Sequence, residues 1–227
     1  MIRLMSEAQH IWWIRHGESD SNAGARTANA AAPVLTELGW QQARATAQIF
    51  KQAPDRVITT SFVRTGQTAQ PLLERFPGLP QAQWPVQEFV ELSYRNRNNS
   101  NAEEREPKVR AYWEAADPDY HDGEGAESFR QLMARADWAI GAMHKAEPGL
   151  TVVYSHGLFM KAMIWQLLRG SSEISQATMR QMFAFHGAVL LPNCALIRFE
   201  LRDHTLWMQP PDVSHLSLVS TQTALDP

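Results

Sequence analysis

The chain has a single cysteine, Cys194, among its 227 residues, so it forms no internal disulfide and suits a reducing compartment. No window reaches the roughly 18 consecutive apolar residues of a membrane span. Residues 1–10 lack the apolar core of a secretory leader. Charge of one sign is also scarce. The 21 Lys and Arg stand against 24 Asp and Glu, a net charge of −3. That balance gives no electrostatic case for nucleic acid or an anionic membrane as partner. Internal repeats and low-complexity tracts are missing too. What remains is a globular composition, 44% hydrophobic and 20% charged, long enough to bury a sizeable core. The expectation is one domain over residues 1–227, located in the cytoplasm.

Against this plain background one stretch stands out. Ile11-Trp12-Trp13-Ile14 is too short an apolar run for a helix core and suits a strand buried on both faces. Arg15, His16 and Gly17 follow without a break. The strand therefore delivers a guanidinium and an imidazole to the sheet's carboxyl edge, where ligands bind in open α/β sheets. Gly17 removes side-chain bulk and permits positive φ, so that the chain can turn away and leave His16 uncovered. These residues alone allow two readings. One is a reactive histidine beside an anion-binding arginine; the other is a strand end whose polar groups meet water.

Residues 20–33 read as a loop over that edge, with Asn22 either a ligand for substrate or a local turn former. Thr36 caps a helix in which Trp40, Ala43, Ala47 and Phe50 share one face. The next strand covers residues 56–60. Ser61 is expected to cap the helix after it, placing Arg64 in the first turn. Free N–H groups there already attract anions, and a guanidinium adds a fork matched to phosphate oxygens. A surface arginine on a polar turn is the alternative. Pro71 is expected to end or kink this helix early.

Residues 78–85 read as loop, and residues 86–92 alternate loosely around Glu88 and Glu91. Residues 93–125 carry five Lys and Arg against eight Asp and Glu, and are irregular apart from a helix near 103–116. They suit either a lid or specificity insert, or a solvated surface excursion. Ser128 and Gln131 form a capping box ahead of an apolar stripe of Phe129, Leu132, Met133, Ala136, Ile140 and Met143. A second buried strand, residues 150–154, ends in Ser155-His156-Gly157 and so repeats the strand-His-Gly design. An apolar helix over 158–168 follows, stopped by Gly170. Residues 188–191, 195–200 and 205–208 read as later strands, and those after 210 as a surface tail.

Three strand-to-helix junctions thus present Arg15-His16, Arg64 and His156 at one edge of one sheet. Strand and helix alternation gives an α/β fold of three layers, a mostly parallel mixed sheet flanked by helices. Uncompensated, the four cationic groups would repel one another. A bound dianion the size of a phosphoryl group resolves the conflict.

The ordered motifs are RHGES at 15–19 with Asn22 three positions on, LTELG at 35–39, TSFVRTGQTA at 60–69, GAES at 125–128 and VVYSHG at 152–157. Together they resemble the histidine phosphatase superfamily of phosphoglycerate mutases and related acid-type phosphatases, from about residue 10 to 200. The resemblance implies a phosphoglycerate mutase-like fold and a small-molecule phosphoester substrate. It makes His16 the nucleophile, phosphorylated transiently, with Arg15, Arg64 and His156 on the non-bridging oxygens. Asn22 and Gly157 are then substrate-binding, and no metal or other cofactor is implied. Family position favours Glu91 as proton donor, with Glu88 the fallback. The family's glycine and Trp-Glu-Gly after this acid are replaced by Ser93-Tyr94-Arg95-Asn96. The first expectation for function is a phosphomonoesterase. A bisphosphoglycerate-dependent mutase is the alternative, for which Arg95 and Arg97 could supply local charge, and a non-catalytic regulatory module is the third.

Overall fold

The computed structural model describes residues 9–27, 29–170, 173–217 and 219. Strand β1 (Gln9–Arg15) leads into α1 (Glu37–Ala47), β2 (Arg56–Thr59), α2 (Val63–Arg75) and the short edge strand β3 (Gln81–Gln83). Helices α3 (Tyr94–Arg97), α4 (Ala102–Ala115) and α5 (Phe129–His144) precede β4 (Gly149–Ser155). Helices α6 (Gly157–Arg169) and α7 (Gln176–Ala188) and strands β5 (Leu196–Arg202) and β6 (Thr205–Met208) follow.

The six strands lie in the order β3-β2-β4-β1-β5-β6. The first four run parallel; β5 is antiparallel to β1, and β6 to β5. Side chains alternate across the sheet, which divides the core in two. Ile11, Trp13 and Val153 face the layer of α5, α6 and α7, with Phe129, Leu132, Met133, Met160 and Met179. Ile14, Val152 and Tyr154 face the layer of α1 and α2, with Ala47, Phe50, Ala69 and Leu72. Three layers result, as the alternation of elements implies. Burial of β1 and β4 on both faces explains why their sequences are continuous apolar runs.

Pro71 neither ends nor visibly shortens α2, which runs on to Arg75. Ala69 and Leu72 on either side of it are fully buried against the sheet, and that burial outweighs the one lost backbone hydrogen bond. The stretch 188–191 is not a strand. Ala188 closes α7, and residues 189–192 follow without regular structure, Leu190 among them exposed. Helix α7 itself, capped by Ser175 and burying Thr178, Met179 and Met182, carries too narrow an apolar face to stand out in the sequence. Strand β3 lies inside the stretch read as loop. Its three residues are exposed and held only by pairing with β2, so no hydrophobic pattern marks it. The tail after 210 is packed as far as it is described. Asp212 bridges Leu196 and pairs with Arg198, and Leu216 is buried. Residues 218 and 220–227 lie outside the described part.

Candidate active site

Strands β1 and β4 pair in parallel from Gln9 opposite Gly149 to Arg15 opposite Ser155. The register carries His16 and His156, each one step beyond its strand, to adjacent positions at the carboxyl edge. The backbone N–H of His16 still bonds the Ser155 carbonyl at 2.9 Å, and the imidazole centroids are 5.1 Å apart. Arg64, in the first turn of α2, completes the group from the next strand over. Its Nε donates to His16 Nε2 at 3.1 Å and its Nη1 to the Ala30 carbonyl at 2.9 Å. Arg15 reaches the Leu191 carbonyl through Nη1 at 2.7 Å. All four side chains are buried, none more than 6% exposed.

The hydrogen bonds assign the state of His16. Nδ1 lies 2.7 Å from the Gly17 carbonyl, an acceptor only, so Nδ1 carries the proton. Nε2 then holds a lone pair, which Arg64 meets. Burial first, and then the charges of Arg64 and Arg15, hold the His16 pKa well below its ordinary value. His156 is held low in the same way, by burial and then by Arg64, His16 and Arg15. Its Nε2 lies 3.0 Å from Thr60 Oγ1, and the edge of Phe62 meets the ring at 5.2 Å. Its Nδ1 is buried and makes no hydrogen bond among the described residues. Arg64 is lowered to about 10, chiefly by burial with Glu88 opposing, and stays charged at neutral pH.

Gly17 and Gly157 owe their identity to close approach. Gly17 has no positive φ, contrary to the expectation; instead a Cβ there would lie 2.6 Å from the Gly39 carbonyl oxygen. Gly39, the glycine of LTELG, is tighter still, its Cβ falling 2.0 Å from the Glu18 carbonyl oxygen. A Cβ on Gly157 would stand 3.1 Å from Arg15 Nε, so the missing side chain gives that guanidinium its berth. Ser61 does not cap α2. Phe62 holds the cap position with no side-chain bond, and Thr60 Oγ1 accepts the Phe62 N–H instead.

Asn22 is tied into its loop. Its Oδ1 accepts from Ser19 N, Ser19 Oγ and Asn193 Nδ2. Asn193 also donates to the His16 carbonyl at 3.0 Å. Thr60 and Asn193 are the functional neighbours that the sequence reading missed, since a threonine at a strand end and an asparagine after proline carry no distinguishing pattern. Cys194 is buried and its thiol is pushed up to about 12, chiefly by burial, which leaves it unreactive.

Of the two candidate acids, Glu88 acts on Arg64 of the cluster, and Glu91 lies three residues further on. Glu88 sits on the N-terminus of α6, accepting from Phe159 N at 3.1 Å and Leu158 N at 3.4 Å. Glu91 is half-buried, and enclosure of its carboxyl raises its pKa, with Arg97 opposing. The GAES segment holds this wall. Glu127 pairs with Arg135 at 2.6 Å, and Arg135 in turn donates to the carbonyls of Pro85 and Gln87. A cleft of about 550 Å³ adjoins, lined by Ala30, Phe62, Glu88, Val90, Gln131 and Arg135 among others. Residues 93–125 are more regular than expected. Helix α4 starts with an Asn101–Glu104 capping box and buries Tyr112 and Trp113.

The model of the histidine phosphatase superfamily (branch 1) matches residues 11–208, and the chain belongs to this family. Its relatives include the adenosylcobalamin/alpha-ribazole phosphatase of Salmonella typhi, 31% identical over 165 residues, covering 70% of this chain and 79% of that protein. The metal-independent phosphoserine phosphatase of Arabidopsis thaliana is 27% identical over 229 residues, 96% of this chain and 87% of that one. Among solved structures, Bacillus stearothermophilus YhfR superposes with a TM-score of 0.72 at 18% identity, covering 92% of this chain and all of that one. That likeness fixes the fold as phosphoglycerate mutase-like. Within the family the chain is an enzyme of the phosphatase kind, a hydrolase of phosphomonoesters.

Proposed function

We propose that this phosphatase hydrolyses a small-molecule phosphomonoester by way of a phosphohistidine on His16. The observation that carries the reading is the His16 Nε2 lone pair, buried among Arg15, Arg64 and His156 and met by Arg64 Nε at 3.1 Å. Nε2 attacks phosphorus in line, and the bond to the leaving oxygen breaks. The three other groups hold the non-bridging oxygens and stabilise the charge spread over them. Glu91 gives its proton to the leaving oxygen. In the second half it takes a proton from water as that water attacks phosphorus, the P–N bond breaks, and phosphate departs.

A raised carboxyl pKa supports Glu91 as donor, while Glu88, fixed on α6, serves as a positioning anion beside Arg64. The names of the two curated relatives support a small phosphoester, and the adjoining cleft has room for a leaving group. We place Asn22 and the Gly157 N–H at the edge of the bound phosphoryl group, and residues 93–125 as the wall that selects the leaving group. The single cysteine supports a cytoplasmic enzyme, and no described helix is long and apolar enough to cross a membrane.

His16→Ala tests the reading. Hydrolysis of p-nitrophenyl phosphate and of a panel of phosphorylated metabolites should be abolished while circular dichroism stays unchanged. Wild-type turnover should need no bisphosphoglycerate and survive EDTA. Retention of turnover by the variant would remove His16 from the mechanism.

A further inference from the structure

The imidazole of His16 takes its aim from the main chain, because the Gly17 carbonyl accepts its Nδ1 proton at 2.7 Å. The backbone around that bond is fixed in turn. His16 N donates to the Ser155 carbonyl at 2.9 Å, and Gly17 N to Thr68 Oγ1 at 3.0 Å. The His16 carbonyl receives two donors, Asn193 Nδ2 at 3.0 Å and Cys194 N at 3.2 Å. Asn193 stands 177 residues further along the chain, in the turn ahead of β5, and is buried. That turn is itself held. Cys194 adopts φ +57°, which side-chain-bearing residues rarely take, and its carbonyl lies 3.1 Å from His215 Nε2 in the packed tail.

The same Asn193 Nδ2 lies 3.3 Å from Asn22 Oδ1. An amide nitrogen has two protons to give, and here each has an acceptor. Asn22 Oδ1 also accepts from Ser19 N at 3.2 Å and from Ser19 Oγ at 3.1 Å. A backbone N–H can only donate and a carbonyl can only accept, so chemistry sets the orientation of both amides. Asn193 turns its nitrogen to His16, and Asn22 turns its oxygen into the loop. The Asn22 nitrogen then points away from the loop and makes no hydrogen bond among the described residues.

We propose, resting on the phosphohistidine reading above, that Asn193 is a positioning residue for phosphoryl transfer. One of its N–H groups locks the peptide behind the His16 imidazole; the other turns the Asn22 amide so that its nitrogen is the end offered to the phosphoryl group. A single side chain thereby aligns the nucleophile and a donor to the group it attacks, as an in-line displacement requires. Asn193 acts through these two residues and not on the substrate.

The test is a double-mutant cycle read in kcat/KM for p-nitrophenyl phosphate, with melting temperatures alongside. Asn193→Ala should lower kcat/KM about tenfold or more. It should weaken inhibition by vanadate, which mimics phosphorus in transfer, more than inhibition by inorganic phosphate. Asn193→Asp, which sets an oxygen against two oxygens, should lose more than Asn193→Ala. Asn22→Ala combined with Asn193→Ala should lose less than the product of the single losses, by about fivefold or more. Should the Asn193 variants fail to fold, Asn22→Asp carries the test. It keeps the oxygen that accepts from the loop and replaces the outward nitrogen, so it should fold and lose more kcat/KM than Asn22→Ala. Single losses that multiply to within about twofold would overturn the proposal. So would equal weakening of vanadate and phosphate by Asn193→Ala, or Asn22→Asp as active as Asn22→Ala. Failure of folded wild-type protein to hydrolyse any phosphomonoester would instead overturn the phosphatase reading itself.

Discussion

His16 is hydrogen-bonded at both ring nitrogens, buried, and kept neutral by its surroundings, and the proposed proton donor is a carboxyl whose affinity for protons is increased. The two shifts act in useful directions. His16 stays unprotonated, as the proposed nucleophile must, to pH values below the ordinary 6.5 of histidine. Glu91 stays protonated, and able to donate, to pH values above the ordinary 4.5 of glutamic acid. The profile of kcat/KM against pH should therefore be a bell whose acid limb belongs to His16 and whose alkaline limb belongs to Glu91. Glu91→Gln should erase the alkaline limb and slow alkyl phosphates by about 10²–10⁴, with a smaller loss on nitrophenyl esters that leave without a proton. The same behaviour from Glu88→Gln would transfer the acid role to Glu88.

At the scale of elements, the strand ends were legible because each motif is local. A buried apolar run followed by Arg-His-Gly or Ser-His-Gly names its own position, and β1 and β4 fall where those runs do. The Ser128–Gln131 capping box and the Thr36 cap are equally local and are present. What could not be read depends on partners. Strand β3 exists through pairing with β2, α7 through burial of three side chains, and the Thr60 contact through the packing of two strand ends. Gly17 shows the limit well, since the reason for the glycine lies in α1 rather than in its own turn. Helix α1 and the loop after His16 meet backbone to backbone at Gly39. Gly39→Ala should accordingly cost about 1–3 kcal/mol by urea unfolding, because both surfaces are backbone and neither can yield. An unchanged midpoint would show that the approach is looser than described.

For the whole molecule, burying two histidines without charge links stability to acidity. In the unfolded chain each takes up a proton near pH 6.5, whereas in the folded protein uptake waits for a lower pH. The unfolded state thus binds more protons as pH falls below about 6.5, and stability declines from there downward. Thermal midpoints should drop between pH 7 and pH 5. Phosphate or vanadate, bound by the folded state alone, should offset part of the fall, by about 2.7 kcal/mol at a hundred times its dissociation constant. A flat midpoint across that range would mean that the imidazoles are not held neutral.

The parallel pairing of β1 with β4 also has a bearing on how the protein is made. These strands lie far apart in the sequence, at Gln9–Arg15 and Gly149–Ser155, and a ribosome completes the first long before the second emerges. A nascent chain that stops short of β4 carries His16 with no His156 beside it, so on the proposed mechanism partly synthesised enzyme should not turn over phosphoesters. Closure of this central pair, a slow step because its loop is long, is then also the step that completes the proposed site.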